Sequence, residues 1–198
     1  MEMLVVISVI GLIAATTAPM LFSTMKANRL SVAGDEIASR ISLAQQLAVS
    51  GNHEVELRFY HYADPDDPTS KDHYRATLVA LPAPDPSAPG AIKTTVLSEL
   101  SYLRNGIVIG KNSALSPTLE ESSRADNTDD EKPIPGVTAN YKSIRFLPDG
   151  TCDVTVVPAD AYLTIVEEHD LKTQGEVPKN FFAVQIDHYT SRITTHRP

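Results

Sequence analysis

The first twenty-five residues carry one ionisable side chain, Glu2, at the head of an apolar run that extends from Met3 to Phe22; the next charge is Lys26. A run of this length can cross a bilayer as a helix. An acid at its lip costs about 3 kcal/mol if it enters hydrocarbon unpaired, so it calls for a cationic partner. Whatever the rest of the chain folds into must tolerate a long greasy segment at one end.

Composition narrows the rest. The chain has 198 residues, enough for one anchor and one compact domain, and a net charge of -8. No basic stripe is present, which argues against nucleic acid as a partner. Cys152 is the single cysteine, so no intrachain disulfide can form, and it reads as a small buried residue beside a turn. No later stretch is apolar enough for a second crossing. The N-terminal segment could be a signal peptide, a plain anchor, or a helix that stays attached and packs against copies of itself. A signal peptide would begin with basic residues, and its only candidate cleavage region here is Ala14-Ala15-Thr16-Thr17-Ala18. A plain anchor gains nothing from Glu2. The third option is favoured.

The segment Glu2-Met3-Leu4-Val5-Val6-Ile7-Ser8-Val9-Ile10-Gly11-Leu12-Ile13-Ala14-Ala15, with Pro19 seventeen residues beyond the glutamate, resembles the N-terminal helix of type IV pilins and type II secretion pseudopilins, the prepilin-type methylation motif. The resemblance covers about a tenth of the chain. It implies a pilin-like fold, a helix that leaves the membrane to enter a filament, and two assembly residues. Glu2 would pair with the terminal ammonium of a neighbouring subunit, and Pro19 would bend or unwind the helix by removing a backbone donor. The family's basic leader and its glycine do not precede Met1 in this sequence, so the cleavage site is expected upstream of Met1. A mis-assigned start would account for that, and for Lys26 and Arg29 following the apolar run where the positive-inside rule wants charge before it.

Beyond the run, Ile37, Ile41, Ala44 and Ala48, extended by Val32 and Leu47, mark one face of an amphipathic helix beginning near Asp35 and ending at Gly51-Asn52. The expected organisation is an anchor over residues 1–25, an amphipathic continuation over 26–51, and a β-rich head over 52–198. The fold class is α+β: a long N-terminal helix with a membrane-spanning first half, packed on an antiparallel sheet. Val55, Leu57 and Phe59 alternate with polar neighbours and predict a half-buried strand, with Tyr74 to Leu81 as its partner. Further strands are expected at Ser143–Leu147, Cys152–Val157, Tyr162–Val166, Phe181–Ile186 and Arg192–Thr195. Asn105-Gly106 and Pro148-Asp149-Gly150-Thr151 predict tight turns. Exposed loops are expected near 82–91, where prolines crowd, and over 113–141, which is polar and acidic. The unit Ile144 to Thr151, the late hairpin Phe182 to Arg192, and Ser42 to Gly51 before a strand resemble minor pseudopilins of the H (FimT-like) type, and the pilin-like cassette protein D family of Verrucomicrobia.

No enzyme signature, cofactor motif or metal motif is visible. His53, His61, His73, His169, His188 and His196 form no metal-binding pair, and His61 and His73 read as solvated loop residues beside the acidic turn Asp64 to Asp72. Asp126 to Glu131 lacks the glycine and spacing of a calcium loop. The favoured function is a structural subunit, a minor pilin or pseudopilin of a type IV pilus-like or type II secretion-like filament. Its expected partners are other pilin or pseudopilin subunits, an inner-membrane assembly platform and a prepilin peptidase. Its expected place is the inner membrane, N-terminus cytoplasmic and head periplasmic, or the filament. A membrane-anchored binding module, such as a tip adhesin, and an anchored periplasmic enzyme are the alternatives.

Overall fold

The computed structural model describes residues 2–84, 92–104, 106–121, 126–128, 133–171 and 177–197. One helix, α1 (Glu2–Gly51), runs for 50 residues, about 75 Å at the usual rise. The helix passes Asp35 without a break, so the amphipathic part is continuous with the first half. Leu30, Ala33, Ile37, Ile41, Ala44 and Ala48 recur every three or four residues and are buried, the face that a 3.6-residue period turns toward a core. The helix stops where Asn52 takes a left-handed φ of 52°. The His53 N–H then donates to the Ala48 carbonyl at 3.3 Å, the bond that closes a Schellman cap.

The head is one antiparallel sheet. Its strands are β1 (Val55–Tyr62), β2 (His73–Pro84), β3 (Ile92–Val96), β4 (Ser101–Tyr102), β5 (Ile107–Ile109), β6 (Asn127–Thr128), β7 (Asn140–Phe146), β8 (Tyr162–Glu167), β9 (Phe182–Ile186) and β10 (Ile193–His196). The order is β10-β9-β8-β5-β2-β1-β7-β6, with β3 and β4 also on β2. Every pairing is antiparallel, which bears out the α+β expectation. Strand alternation sends Val55, Leu57, Phe59, Ile144, Phe146, Leu163, Ile165, Val184 and Ile186 into one core with the α1 stripe. The opposite face of β1, β2 and β7 carries a second core of Tyr60, Ala76, Leu78, Ile134 and Ala139. The head is therefore layered: helix, sheet, and a covering segment.

Four expectations need correction. The proline-rich stretch is not wholly loop, because β2 runs to Pro84 and pairs Pro82 with Thr94 and Pro84 with Ile92. The Val79 carbonyl accepts from Leu97 at 2.9 Å, so odd-numbered residues of β2 face β3. Pro82 and Pro84 turn the other way, past the first β1 pair at Glu56 and Ala80, where no donor is needed. Residues 85–91 lie outside the described residues. Second, the stretch 113–141 is not simply exposed. Leu115, Ser116, Thr118, Leu119, Ile134 and Ala139 are buried, Asn127 and Thr128 form β6 against β7, and β7 begins at Asn140. Third, Pro148 to Thr151 does turn, with Gly150 at φ 87°, but Cys152 to Val157 returns as a single bridge, Cys152 to Phe146. Fourth, His61 and His73 are buried, not solvated. Asn105 lies outside the described residues, while Gly106 takes a φ of 81° and Ile107 donates to the Arg104 carbonyl at 2.9 Å. Cys152 is buried, as expected.

Candidate functional site

The first half of α1 is uncovered. Met3, Val5, Val6, Ile7, Val9, Ile10, Leu12 and Ile13 each leave half or more of their surface open, and Met25 is 54% exposed. Successive residues on a helix point about 100° apart, so these positions spread over more than half of its circumference, and Ser8, Gly11 and Ala15 on the remaining side are exposed as well. An apolar surface this extensive is stable only when something covers it. Among the described residues no helix is long and apolar enough to cross a membrane. The side chains of Ala14 and of Thr16 to Thr24, which fall inside the expected anchor, lie outside the described residues, as do those of the two expected assembly residues, Glu2 and Pro19. The α1 backbone is helical through Pro19, so no unwound stretch interrupts it there.

Where the stalk meets the head, the helix is pinned by polar contacts. Lys26 reaches Glu167 at 2.9 Å. Arg197 donates to the Ala27 carbonyl at 3.0 Å and to the Ser31 hydroxyl. Arg40 holds Ser98 and the Glu99 carbonyl. Lower on the helix, Gly34 is buried beneath the Phe182 ring of β9, and a Cβ added there would overlap that ring. This glycine lets helix and sheet approach closely.

Two ionic groups sit inside the head. In the first, His61 of β1 and Lys142 of β7 point to the same face as Phe59. His61 Nδ1 lies 2.9 Å from Asp72, and Lys111 bonds Asp72 at 2.6 Å. On the other ring edge His61 Nε2 lies 3.3 Å from Asp126, while Lys142 reaches Glu120 at 3.4 Å. Tyr74 donates to Glu120 at 2.5 Å. Burial opposes the charge on Asp72, but the hydrogen bonds and charges of His61 and Lys111 hold its pKa at about 2. Burial and the adjacent Glu120 push the Tyr74 hydroxyl well above its usual range. The group ties Lys111, Glu120 and Asp126, on the α1 side of the sheet, to β1, β2 and β7. Among the described residues no set of three or more His, Cys, Asp or Glu could hold a metal ion. Asp129 to Glu131 lie outside the described residues.

The second group grows from a bulge. Tyr60 pairs with Ala76 and His61 with Tyr74, leaving Arg75 as the extra residue, re-aimed as bulged residues are. Arg75 donates to Glu168 at 2.6 Å, to Ser70 at 2.6 Å and to the Tyr62 carbonyl at 2.9 Å. Burial works against ionised Glu168, and its bonds from Arg75, the Lys71 N–H and Ser70 outweigh that and lower its pKa. Beside this pair, a polar cleft of about 400 Å³ opens between α1 and the head, lined by Lys26, Arg29, Lys71, His73, Glu167 and Glu168 among others.

No protein-family model matches the chain, and no curated protein matches it. Among solved structures it is similar to the type IV minor pilin FimU of Pseudomonas aeruginosa (strain PAO1), at 12% identity and a TM-score of 0.41 over 86% of this chain and 93% of that one. At that distance the function has to be argued from this chain's own residues.

Of the six histidines, His61 and His73 are buried in these ionic surroundings; His169 lines the cleft from an exposed position beside Asp170, and His196 is exposed. Sequence reasoning missed Lys111, Glu120, Lys142 and the Arg75–Glu168 pair. One signal was available. The alternation Val55, Leu57, Phe59 carries on to His61, which places an imidazole on the buried face. The partners come from elements 11 to 93 residues away, and no local pattern announces them.

Proposed function

We propose that this chain is a structural subunit, a minor pilin or pseudopilin of a type IV pilus-like or type II secretion-like filament. The observation that carries this reading is the bare apolar stalk. Burying one such side chain yields about 1.5–3 kcal/mol, so the eight named between Met3 and Ile13 supply on the order of 10–20 kcal/mol before ordering costs. No part of the described head folds back to claim it. The stalk would rest in the inner membrane, head periplasmic, and then pack between the stalks of other pilin subunits in the filament. Glu2 supplies register in this scheme: its carboxylate pairs with the terminal ammonium of an adjoining subunit, an attraction that strengthens as water is excluded. A prepilin peptidase acting on a leader and an inner-membrane assembly platform complete the set of partners. The H (FimT-like) assignment rests on the residue pattern around Ser42–Gly51 and Ile144–Thr151.

The test is Glu2→Ala in the native cell. Membrane fractionation and blotting of sheared filaments are compared with wild type. The variant should remain with the membrane and be lost from the sheared fraction. Equal incorporation of the variant would overturn the role given to Glu2. Recovery of the wild-type chain in neither fraction would overturn the function.

A further inference from the structure

The cleft at the stalk–head junction has a charge pattern that its internal contacts leave unfinished. Its acids are already engaged. Glu167 takes Lys26 at 2.9 Å. Glu168 accepts from Arg75, Ser70 and the Lys71 N–H at 2.6, 3.0 and 3.2 Å. Asp67 accepts from the Thr69 amide and hydroxyl at 2.8 and 2.7 Å. Two of its cations are not. Among the described residues, neither the Arg29 guanidinium nor the Lys71 ammonium has an ion-pair or hydrogen-bond partner, and both line the cleft. His73 lines it too and is 9% exposed. Its Nδ1 accepts the Lys111 N–H at 3.3 Å, which leaves Nε2 of the neutral ring as a donor.

The position along the helix says what such donors would meet. From Glu2 to Lys26 the helix rises about 36 Å, a little more than the hydrocarbon thickness of about 30 Å. With the stalk in a bilayer and Glu2 near one surface, Lys26 and Arg29 come level with the phosphates of the opposite leaflet. Guanidinium and ammonium groups are strong phosphate partners, and the carboxylates that share this cleft are each already bonded to other groups.

We propose that this cleft is a phosphate-binding site, built from Arg29, Lys71 and His73, which takes a phospholipid headgroup while the subunit waits in the membrane. The inference rests on the membrane-resident reading for the source of the phosphate, and on the cleft alone for its chemistry. Release of the headgroup then accompanies extraction into the filament, because the junction leaves the phosphate layer.

The experiment uses the full chain in detergent, read by native mass spectrometry during titration with phosphatidylglycerol, with diacylglycerol as a tail-matched probe lacking phosphate, and with inorganic phosphate. Arg29→Gln and Lys71→Gln are combined; Arg29 and Lys71 are exposed, and circular dichroism checks that the variant is folded. One phosphatidylglycerol per chain should bind in preference to diacylglycerol, and the double variant should bind it about tenfold more weakly. Binding of inorganic phosphate alone, with the same dependence on the variant, would keep the site and assign its ligand to a free anion. Equal retention of phosphatidylglycerol and diacylglycerol, or an unchanged affinity in the folded variant, would overturn the proposal. A failure of the filament reading would appear in the Glu2→Ala fractionation and leave the detergent titration untouched.

Discussion

Gly34→Ala sets two known effects against each other at one atom. In an exposed helix interior, alanine in place of glycine stabilises by about 1 kcal/mol. At position 34 the new methyl would overlap the Phe182 ring, meeting Cγ, Cδ1 and Cε1. These atoms are near the root of the side chain and are held in a buried site, since Phe182 is 5% exposed. The ring cannot swing clear as the tip of a lysine would. Overpacking of this kind costs about 1–3 kcal/mol, and the helix must lift from β9 or the ring must leave its rotamer. The net expectation is a loss of about 1–2 kcal/mol, taking the upper part of that range less the propensity gain. For a chain of this size that lowers the melting temperature by roughly 2–8 °C. Thermal unfolding in detergent, followed by circular dichroism, reads it. Phe182→Leu is the paired variant: it costs stability alone, but Gly34→Ala in its background should cost less than in wild type. A Gly34→Ala protein as stable as the parent, or more so, would refute the close-approach argument.

Other outcomes follow from the same packing. The Asp72 pKa of about 2 lies below the unfolded carboxylate value of about 3.9, so its contribution is full above pH 4 and is lost as pH falls toward 2. Asp72→Asn should therefore melt lower than wild type at pH 7, with the gap closing between pH 4 and 2; a gap that stays constant would contradict the ion contacts. Glu168→Ala strands Arg75, whose side chain is 8% exposed, and should cost about 3 kcal/mol in urea unfolding, whereas Arg75→Met with Glu168→Leu should recover most of it. Leu119→Ala empties a fully buried position; a loss of about 2–5 kcal/mol is expected, with faster hydrogen exchange in 111–121.

Elements whose pattern is periodic and local could be read directly. The stripe Ile37, Ile41, Ala44, Ala48 and the alternation Val55, Leu57, Phe59 each repeat the geometry of the element they form, so helix and first strand were legible. Pro148 to Thr151 was legible because a turn is specified by adjacent residues. The burial of residues 111–121 was not, since Leu115 and Leu119 are two apolar residues among polar ones. They are buried by a sheet face that forms only when distant strands pair. Pro82 and Pro84 misled for a related reason: a proline argues against a strand only where its missing donor is needed, and the sequence does not tell which edge lacks a partner. In the ionic groups, Lys111 and Lys142 are ordinary surface residues until the fold encloses them. The stalk was legible as apolar. Its exposure on every side belongs to the structure.

In the proposed filament, other stalks cover this one. Single cysteines at Ile7, Ile10 and Leu12, 65%, 61% and 69% exposed, test it by oxidative cross-linking in intact cells, since the native Cys152 is buried. A cysteine at Tyr189 in the head, 71% exposed, serves as the control. Stalk cysteines should form disulfide-linked adducts with pilin subunits bearing a cysteine in their own N-terminal helix, and should stop doing so in the Glu2→Ala background. Stalk cysteines that never cross-link to such partners, while the Tyr189 position is reactive and filaments are present, would contradict it.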